Sequence, residues 1–338
     1  MDDSILSSIV KLLSFLSRGK DHLIIDADTH ITDLTSLSEQ QRQKYDSTSN
    51  YYHGRPISAE DLLTEMSMAG IDMSLIWQNP AATVYEQNNQ EGNYQKLLQA
   101  NRYILDSFIS HPMKFIPAGW TDPKALGLAN AIKLIHILMK EFGFFIIKMN
   151  PAQNAYPMYS KDVMTCVNEI VSLGGIPAFH YGSDTIYTTA EDLEKIATLN
   201  PDVPLLAVHM GGGGAGYLQA EETYQKSRDL GLRMPNIKFI FSAKRETHIE
   251  SDLIAYQIAG APYKSSLFCG SDAPYGRQSW NFGGYERMFQ GLMNGAHHTD
   301  LRLKANPDLF HQQDVNNYLG GNFAKFIICH YQRFLDQK

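Results

Sequence analysis

The chain has 338 residues, 43% of them hydrophobic and 19% charged, with a formal net charge of −7. This length is too great for one small core but suits one barrel domain with added loops. The acidic balance provides no basic face for a nucleic acid. The three cysteines, Cys166, Cys269 and Cys329, include no CxxC pair. They favour buried thiols in a reducing, cytoplasmic setting over a disulfide framework.

The first segment of the chain predicts an amphipathic helix over residues 1–20. Its apolar residues recur at helical spacing, at Ile5, Ile9, Leu12, Leu13 and Leu16. Two aspartates stand where a signal peptide has a basic region, and the polar face is mostly serine, so neither a leader nor a membrane-surface role is favoured. We expect this helical extension to pack on the single domain of residues 21–338 or on a neighbouring subunit. A homodimer is therefore an expectation.

Short apolar segments, eight in all, recur at the spacing of roughly 30 residues that is typical of βα units. They are apolar nearly throughout rather than alternating, as in a parallel sheet that is buried on both faces. The predicted strands are residues 23–28, 73–77, 114–119, 144–149, 176–180, 204–209, 237–242 and 267–272.

Amphipathic segments lie between these strands and predict helices. They are residues 58–69, 90–110, 124–141, 161–173, 190–199, 216–230, 246–259 and 284–293. Ser58 and Asp122 are placed as N-caps, and Gly70, Gly143 and Gly174 as C-terminal stops.

Eight strands alternating with eight helices predict an α/β fold, a closed (β/α)₈ TIM barrel. A doubly wound open sheet is the competing topology, but it rarely has so many repeats. The two long connections, 31–57 and 273–283, are extended βα loops, and both lie at the carboxyl end of the barrel, where active sites form.

Polar residues stand at the carboxyl ends of four predicted strands: Asp28, His30, His180, His209 and Asp272. Side chains alternate along a strand, so the first two point the same way, into the mouth of the barrel. Alone, a strand-end histidine is usually structural and a strand-end aspartate is usually a helix cap. Their coincidence at one rim instead favours a divalent cation such as Zn²⁺ or Mn²⁺.

Seven short segments of the chain together resemble a known family. The pieces run in order from about residue 22 to residue 328: IDADTH, AGIDMSLI, FGFFIIKMNP, IPAFHYG, LLAVHMGGG, LFCGSDAPYG and LGGNFAKFI. They are similar to the amidohydrolase superfamily, in particular the amidohydrolase-related branch that includes aminocarboxymuconate-semialdehyde decarboxylase and γ-resorcylate decarboxylase. Each piece is weak alone; their order and spacing together are specific.

The resemblance implies a role for each rim residue. The implied metal ligands are Asp28, His30, His180 and Asp272, and the implied acid–base groups are His209 and Asp272. The superfamily often has histidine where Asp28 stands; the added carboxylate should tighten cation binding and weaken the metal as a Lewis acid. One divalent ion is expected, zinc first and manganese second.

Lys148 ends the fourth predicted strand, where binuclear members of the superfamily carry a carboxylated lysine. We expect instead a lysine paired with a carboxylate such as Asp26, near the substrate; a second metal stays open. His53, Arg55 and Arg277 lie in the two long loops and are candidates for binding a substrate carboxylate.

The site motif does not choose between two reactions. We expect a metal-dependent hydrolase that acts on a small, carboxylate-bearing amide, ester or lactone through a metal-activated water. Non-oxidative decarboxylation is the alternative. A non-catalytic small-molecule-binding barrel is a weaker third reading, because no implied ligand is missing.

Overall fold

The computed structural model describes residues 1–47, 54–182, 186–213 and 221–337, the last range with side chains from residue 224 onward. In this described part of the chain, eight parallel strands form the centre, and each pairs with the next in sequence. They are β1 Ile25–Ile31, β2 Met73–Gln78, β3 Phe115–Pro117 continued by Gly119–Trp120, β4 Ile146–Met149, β5 Ile176–Gly182, β6 Leu205–Gly211, β7 Ile237–Phe241 and β8 Leu267–Cys269.

Backbone hydrogen bonds join the last strand to the first. The Asp272 amide donates to the Asp28 carbonyl at 2.9 Å, and the His30 amide donates to the Ala273 carbonyl at 2.7 Å. Thr29 pairs with Ala273 in parallel register. These contacts bring the residues after β8 against β1 and close the ring, so the predicted (β/α)₈ barrel is confirmed.

Helices cover the outside of the barrel. They are α1 Asp3–Gly19, α2 Glu39–Asp46, α3 Ala59–Ala69, α4 Gln90–Ser110, α5 Pro123–Leu126, α6 Leu128–His136, α7 Pro151–Asn154, α8 Lys161–Ser172, α9 Ala190–Leu199, α10 Glu221–Arg233, α11 Glu246–Ala259, α12 Gln278–Met293, α13 Leu301–Ala305, α14 Gln312–Asn316 and α15 Asn322–Asp336. Most of the predicted helices appear within a residue or two of their predicted bounds.

Several helical segments differ from the prediction. The predicted helix 216–230 is observed as α10, which ends three residues later at Arg233, and residues 216–220 lie outside the described residues. The short helices α2, α7, α13 and α14 were not predicted. The segment 124–141 is divided at Gly127, whose φ of 75° is not helical, and it ends in the π-helical turn Ile137–Glu141. Helix α12 begins six residues early: it runs through Gly284, which lies against the side chain of Glu246 where a Cβ would not fit. The long amphipathic α15 was not predicted.

Helix α1 packs on the body of its own chain. Ile5, Ile9, Leu12 and Leu16 are buried in the main core, and the helix contacts α4 and α15. Its apolar face is therefore covered within the chain, and a homodimer stays a prediction. Among the helices of the described residues, none has the length and apolar character needed to cross a bilayer.

The cysteines divide into two groups. Cys166 and Cys269 are buried as expected, and Cys269 packs within β8. Cys329 is exposed, which corrects the expectation that all three thiols are buried: it lies on the outward face of the amphipathic α15.

Candidate metal centre

The rim residues come together at the carboxyl end of the barrel. Asp28 and His30 come from β1, where the register with β2 shifts between Asp26 and Thr29. His180 lies in β5 and His209 in β6. Asp272 follows β8 with a φ of 58°.

The ligand-type atoms of four of these residues, Asp28, His30, His209 and Asp272, are closely spaced. His30 Nε2 lies 3.4 Å from Asp272 Oδ1 and 3.8 Å from Asp28 Oδ1. Ligand atoms of Asp28, His209 and Asp272 all lie within 4.8 Å of one another. Two atoms bound to one zinc ion at about 2.0–2.2 Å lie roughly 3–4 Å apart, so these separations suit a shared cation.

His30 is held in one tautomer. Its Nδ1 lies 2.7 Å from the backbone carbonyl of Gln78, which can only accept a hydrogen bond. Nδ1 therefore carries a proton that it donates to this carbonyl, and Nε2 is directed at the carboxylates of Asp28 and Asp272. This arrangement, a histidine anchored through one nitrogen and open at the other, is typical of metal ligands.

His209 is anchored through Ser242. The Ser242 hydroxyl donates to Asp28 Oδ2 at 2.6 Å and lies 2.8 Å from His209 Nδ1. Burial lowers the pKa of His209 to about 4 although the Asp272 carboxylate opposes that shift, so the ring is neutral near pH 7. His180 packs edge-on against His209, with ring centroids 4.6 Å apart.

Asp28 is fully buried among donors and cations. Its Oδ1 accepts from the Trp77 indole at 2.9 Å and lies 3.6 Å from Lys148 Nζ. Burial alone would raise the pKa of Asp28, but the Lys148 ammonium, helped by the hydrogen bond from Ser242, lowers it below its ordinary value. The carboxylate is therefore ionised at neutral pH.

Lys148 lies between two indole rings, 4.7 Å from the Trp77 centroid and 5.0 Å from that of Trp120. Burial lowers its pKa, against the attraction of Asp28 and Asp272. The expected pairing with a carboxylate is found, but the partner is Asp28 rather than Asp26. Asp26 points below the rim, where its carboxylate accepts from Ser271 and Gln278.

A cavity of about 340 Å³ opens above these residues. It is lined by His30, Pro80, Ala81, Trp120, Lys148, Asn150, Gln153, His180, His209, Gly213, Asp272 and Tyr275. Trp120 and Tyr275 both pack edge-on with the His30 ring, with ring centroids 6.0 Å and 5.7 Å from it. Gly213, with a φ of 90°, approaches the rings of both other histidines, where a Cβ would stand about 3.5 Å away. The cavity thus has flat walls and a polar floor.

The two loop arginines that were candidates for binding substrate are not among the residues that line this cavity. The Arg277 guanidinium lies 5.0 Å from the centroid of the Trp280 ring and interacts electrostatically with the Glu65 carboxylate. It is absent from the cavity lining. Arg55 is half-buried and also absent from the lining. His53 lies outside the described residues. Their binding of a substrate stays a prediction, whereas Lys148 does line the cavity.

Two contributors were missed from the sequence. Ser242 ends the predicted strand 237–242, so its position at the same rim was a usable signal. Trp120, which lines the cavity, lies beyond the predicted end of β3 and carried no such signal.

The donor set fits a divalent cation. Among the described residues it offers two ionisable carboxylates, from Asp28 and Asp272, with one ammonium, from Lys148. The excess negative charge and the open Nε2 of His30 favour a borderline metal such as Zn²⁺ or Mn²⁺ over Ca²⁺, which prefers oxygen ligands alone.

Comparisons of the whole chain find relatives by structure and not by sequence. No protein-family model matches the chain, and no curated protein matches its sequence. A 2,6-dihydroxybenzoate decarboxylase from Rhizobium is 11% identical with a TM-score of 0.60, over 93% of this chain and 99% of that one. A 5-carboxyvanillate decarboxylase from Novosphingobium aromaticivorans, complexed with manganese, is 13% identical with a TM-score of 0.63, over 91% and 96%.

A third similar structure is a hydrolase. A probable 2-pyrone-4,6-dicarboxylic acid hydrolase from Acinetobacter baumannii is 13% identical with a TM-score of 0.53, over 88% of this chain and 99% of that one. All three belong to the superfamily that the sequence resembles. At these identities the likeness concerns the fold, and it extends over nearly the whole of each chain. This chain therefore has the barrel fold of the amidohydrolase-superfamily decarboxylases and hydrolase.

Proposed function

We propose that this protein is a metal-dependent carboxy-lyase that removes CO₂ from a small, planar, carboxylated substrate. The observation that carries the proposal is the cluster of carboxylates and imidazoles on the floor of the cavity. The barrel neighbours support it, because those named for an activity are mostly decarboxylases. The sequence alone favoured hydrolysis and left decarboxylation as the alternative; here decarboxylation becomes the main proposal.

The metal would be held by Asp28, His30, His180 and Asp272. When bound, a divalent cation supplies positive charge that polarises substrate oxygen atoms. Manganese is favoured by its presence in three of the neighbouring structures, and zinc by the imidazole ligands. Lys148 stays a simple ammonium in this proposal, so one ion per chain is expected.

Decarboxylation requires one proton to be added to carbon. The bond between the substrate carbon and its carboxylate breaks, its electron pair stays on the carbon, a proton is added there and CO₂ leaves. Asp272 borders the cavity with a side chain that is 13% exposed, so it can exchange a proton with the substrate. His209 presents Nε2 as a second proton carrier.

The walls of the cavity indicate the shape of the substrate. Trp120 and Tyr275 contribute aromatic rings to the cavity lining next to His30. The Trp120 indole N–H is buried and has no hydrogen-bond partner among the described residues. With two aromatic rings in its lining, the cavity suits an aromatic or heterocyclic acid better than a flexible chain.

Hydrolysis of a cyclic ester is the second candidate. It is favoured by the neighbour named as a probable pyrone dicarboxylic acid hydrolase. In that reaction His209 or Asp272 would take a proton from water as it adds to the ester carbon, and return it to the leaving oxygen.

One assay separates these functions. Metal-free protein is reloaded with Mn²⁺ or Zn²⁺ and incubated with hydroxybenzoic acids, vanillate-type acids and pyrone carboxylates. Release of CO₂ without ring opening supports the proposal, whereas ring opening without CO₂ supports the hydrolase. Ligand binding without either product would leave only a binding barrel and would refute both enzymatic readings.

A further inference from the structure

Ser242 occupies the space between a metal-ligand candidate and the acid–base histidine. We propose that Ser242 is a positioning residue: its hydroxyl holds His209 with the proton on Nδ1, links it to Asp28, and so keeps the Nε2 lone pair directed at the cavity. The proposal rests on the proposed function only for the reaction that His209 would serve.

The directions of both hydrogen bonds are fixed by chemistry. An ionised carboxylate can only accept, so the Ser242 hydroxyl donates its single proton to Asp28 Oδ2, at 2.6 Å. The same oxygen must then accept from His209 Nδ1, 2.8 Å away. The alternative tautomer, with the proton on Nε2, would leave Nδ1 and the Ser242 oxygen as two facing acceptors.

The bridge is needed because the direct contact is too long. Asp28 Oδ2 lies 3.8 Å from His209 Nδ1, beyond hydrogen-bond range. Ser242 fills this gap at both ends. It is fully buried, so water does not compete for either bond. Asp28 and His209 are therefore connected through one hydroxyl group, which donates a hydrogen bond to the carboxylate and accepts one from the imidazole.

The surrounding packing leaves this bridge little freedom. Gly270, just after β8, lies so close that an added Cβ would stand 3.0 Å from the Asp28 Cβ and 3.3 Å from the Ser242 Cβ. The glycine thus allows the three strand ends to approach, and it confines Asp28 and Ser242 to the positions in which they bond.

A serine that served packing alone would make different predictions. Its loss would lower stability but would not change where the His209 proton resides. The tautomer is therefore the decisive readout, and it can be measured in metal-free protein without any substrate. Nitrogen-15 shifts of the ring separate protonated from unprotonated nitrogens, and the His209 signals are assigned by their loss in a His209→Gln variant.

The experiment compares wild type with Ser242→Ala, Ser242→Thr and the matched control Ser74→Ala. Ser74 is also a fully buried serine, but it lies on β2 and its hydroxyl accepts a hydrogen bond from the Gln278 amide. We expect wild type and the control to carry the His209 proton on Nδ1. In Ser242→Ala the ring should populate the other tautomer or exchange between the two, and Ser242→Thr should restore the wild-type signals.

Activity gives a second, separate readout. Loss of a partner behind a site residue typically costs about 10–100-fold in metal affinity or turnover, and Ser242→Ala should fall in that range with Ser242→Thr much closer to wild type. Wild-type protein with the proton on Nε2, or unchanged His209 signals in Ser242→Ala, would overturn the inference. If no substrate is ever turned over but the tautomer responds as expected, the proposed reaction fails while the role of Ser242 stands.

Discussion

At the scale of single residues, backbone strain collects at the rim. His209 lies near the end of β6, and Ala243 and Asp272 follow β7 and β8; their φ values are 79°, 47° and 58°. Left-handed backbone in residues other than glycine is uncommon and costs on the order of 1–3 kcal/mol. Such strain persists only where the surroundings impose it, and two of these residues are in the candidate metal centre.

Asp272→Asn tests the carboxylate without disturbing its backbone. Asparagine tolerates left-handed φ well, so the fold should be retained with a change in melting temperature of only a few degrees. The neutral amide removes one negative charge from the cation site, so the affinity for the metal and the turnover should both fall, each by about 10–100-fold or more. Elemental analysis, thermal melting and the CO₂ assay measure these; turnover near wild type would remove Asp272 from the mechanism.

Gly270→Ala tests how closely the strand ends must approach. The added Cβ would stand 2.7 Å from the Ile240 Cγ2 and 3.0 Å from the Asp28 Cβ, so we expect destabilisation of about 1–3 kcal/mol and weaker metal binding. Gly291→Ala is the matched control, because a Cβ added there in α12 would meet nothing within 4 Å. That variant should be neutral or stabilised by about 0.4–1 kcal/mol, measured by urea unfolding. Equal effects at the two sites would contradict the packing argument.

At the scale of elements, the cap of α5 predicts a dependence of stability on pH. Asp122 is buried, and its carboxylate accepts from the amides of Lys124 and Ala125 and from Asn154. Burial raises the pKa of Asp122 from 3.8 to about 6, against these hydrogen bonds. The folded state thus holds the proton more tightly than the unfolded state does. Protonated Asp122 therefore contributes to the free energy of unfolding; this stabilisation is fully present below pH 4 and is lost as the pH rises through about 6.

Asp122→Asn should remove that dependence while retaining the cap, since asparagine caps helices as well as aspartate. Urea unfolding at several values between pH 4 and pH 7 is the measurement. Wild type should lose on the order of 3 kcal/mol more than the variant across this range. Parallel stability curves for the two proteins would show that Asp122 ionises normally in the fold.

The sequence predicted elements better than it predicted contacts between them. Apolar runs locate all eight strands, because each is buried on both faces and so contains few polar residues. Polar residues at the ends of those runs located His180, His209 and Asp272. Contacts between side chains of different strands leave no signal in the local sequence. The pairing of Lys148 with Asp28 depends on the relative height of β4 and β1 along the barrel axis. The role of Ser242 depends on its hydrogen bonds to Asp28 and His209, which come from other strands.

At the scale of the whole molecule, the candidate metal centre connects distant parts of the chain. Asp28 and His30 lie near the start of the barrel and Asp272 near its end, and the backbone bonds of Asp272 and His30 close the ring at the same place. A cation bound there would tie β1, β5 and the segment after β8 together. Metal binding and barrel closure should therefore be coupled.

Removing the metal should accordingly destabilise the junction between β1 and the segment after β8 more than the other strand junctions. At 1,000 times its dissociation constant, a bound ligand adds about 4 kcal/mol to the free energy of unfolding, so chelation should lower the urea midpoint measurably. Hydrogen exchange at the amides of His30 and Asp272, which bridge β1 and the end of β8, should accelerate strongly. The Ala118 amide, which bonds Ile76 across the junction of β2 and β3, is the matched control, because neither strand supplies a candidate ligand. Equal acceleration at all three amides would mean that the metal stabilises the chain globally, and no acceleration at His30 and Asp272 would place the cation elsewhere.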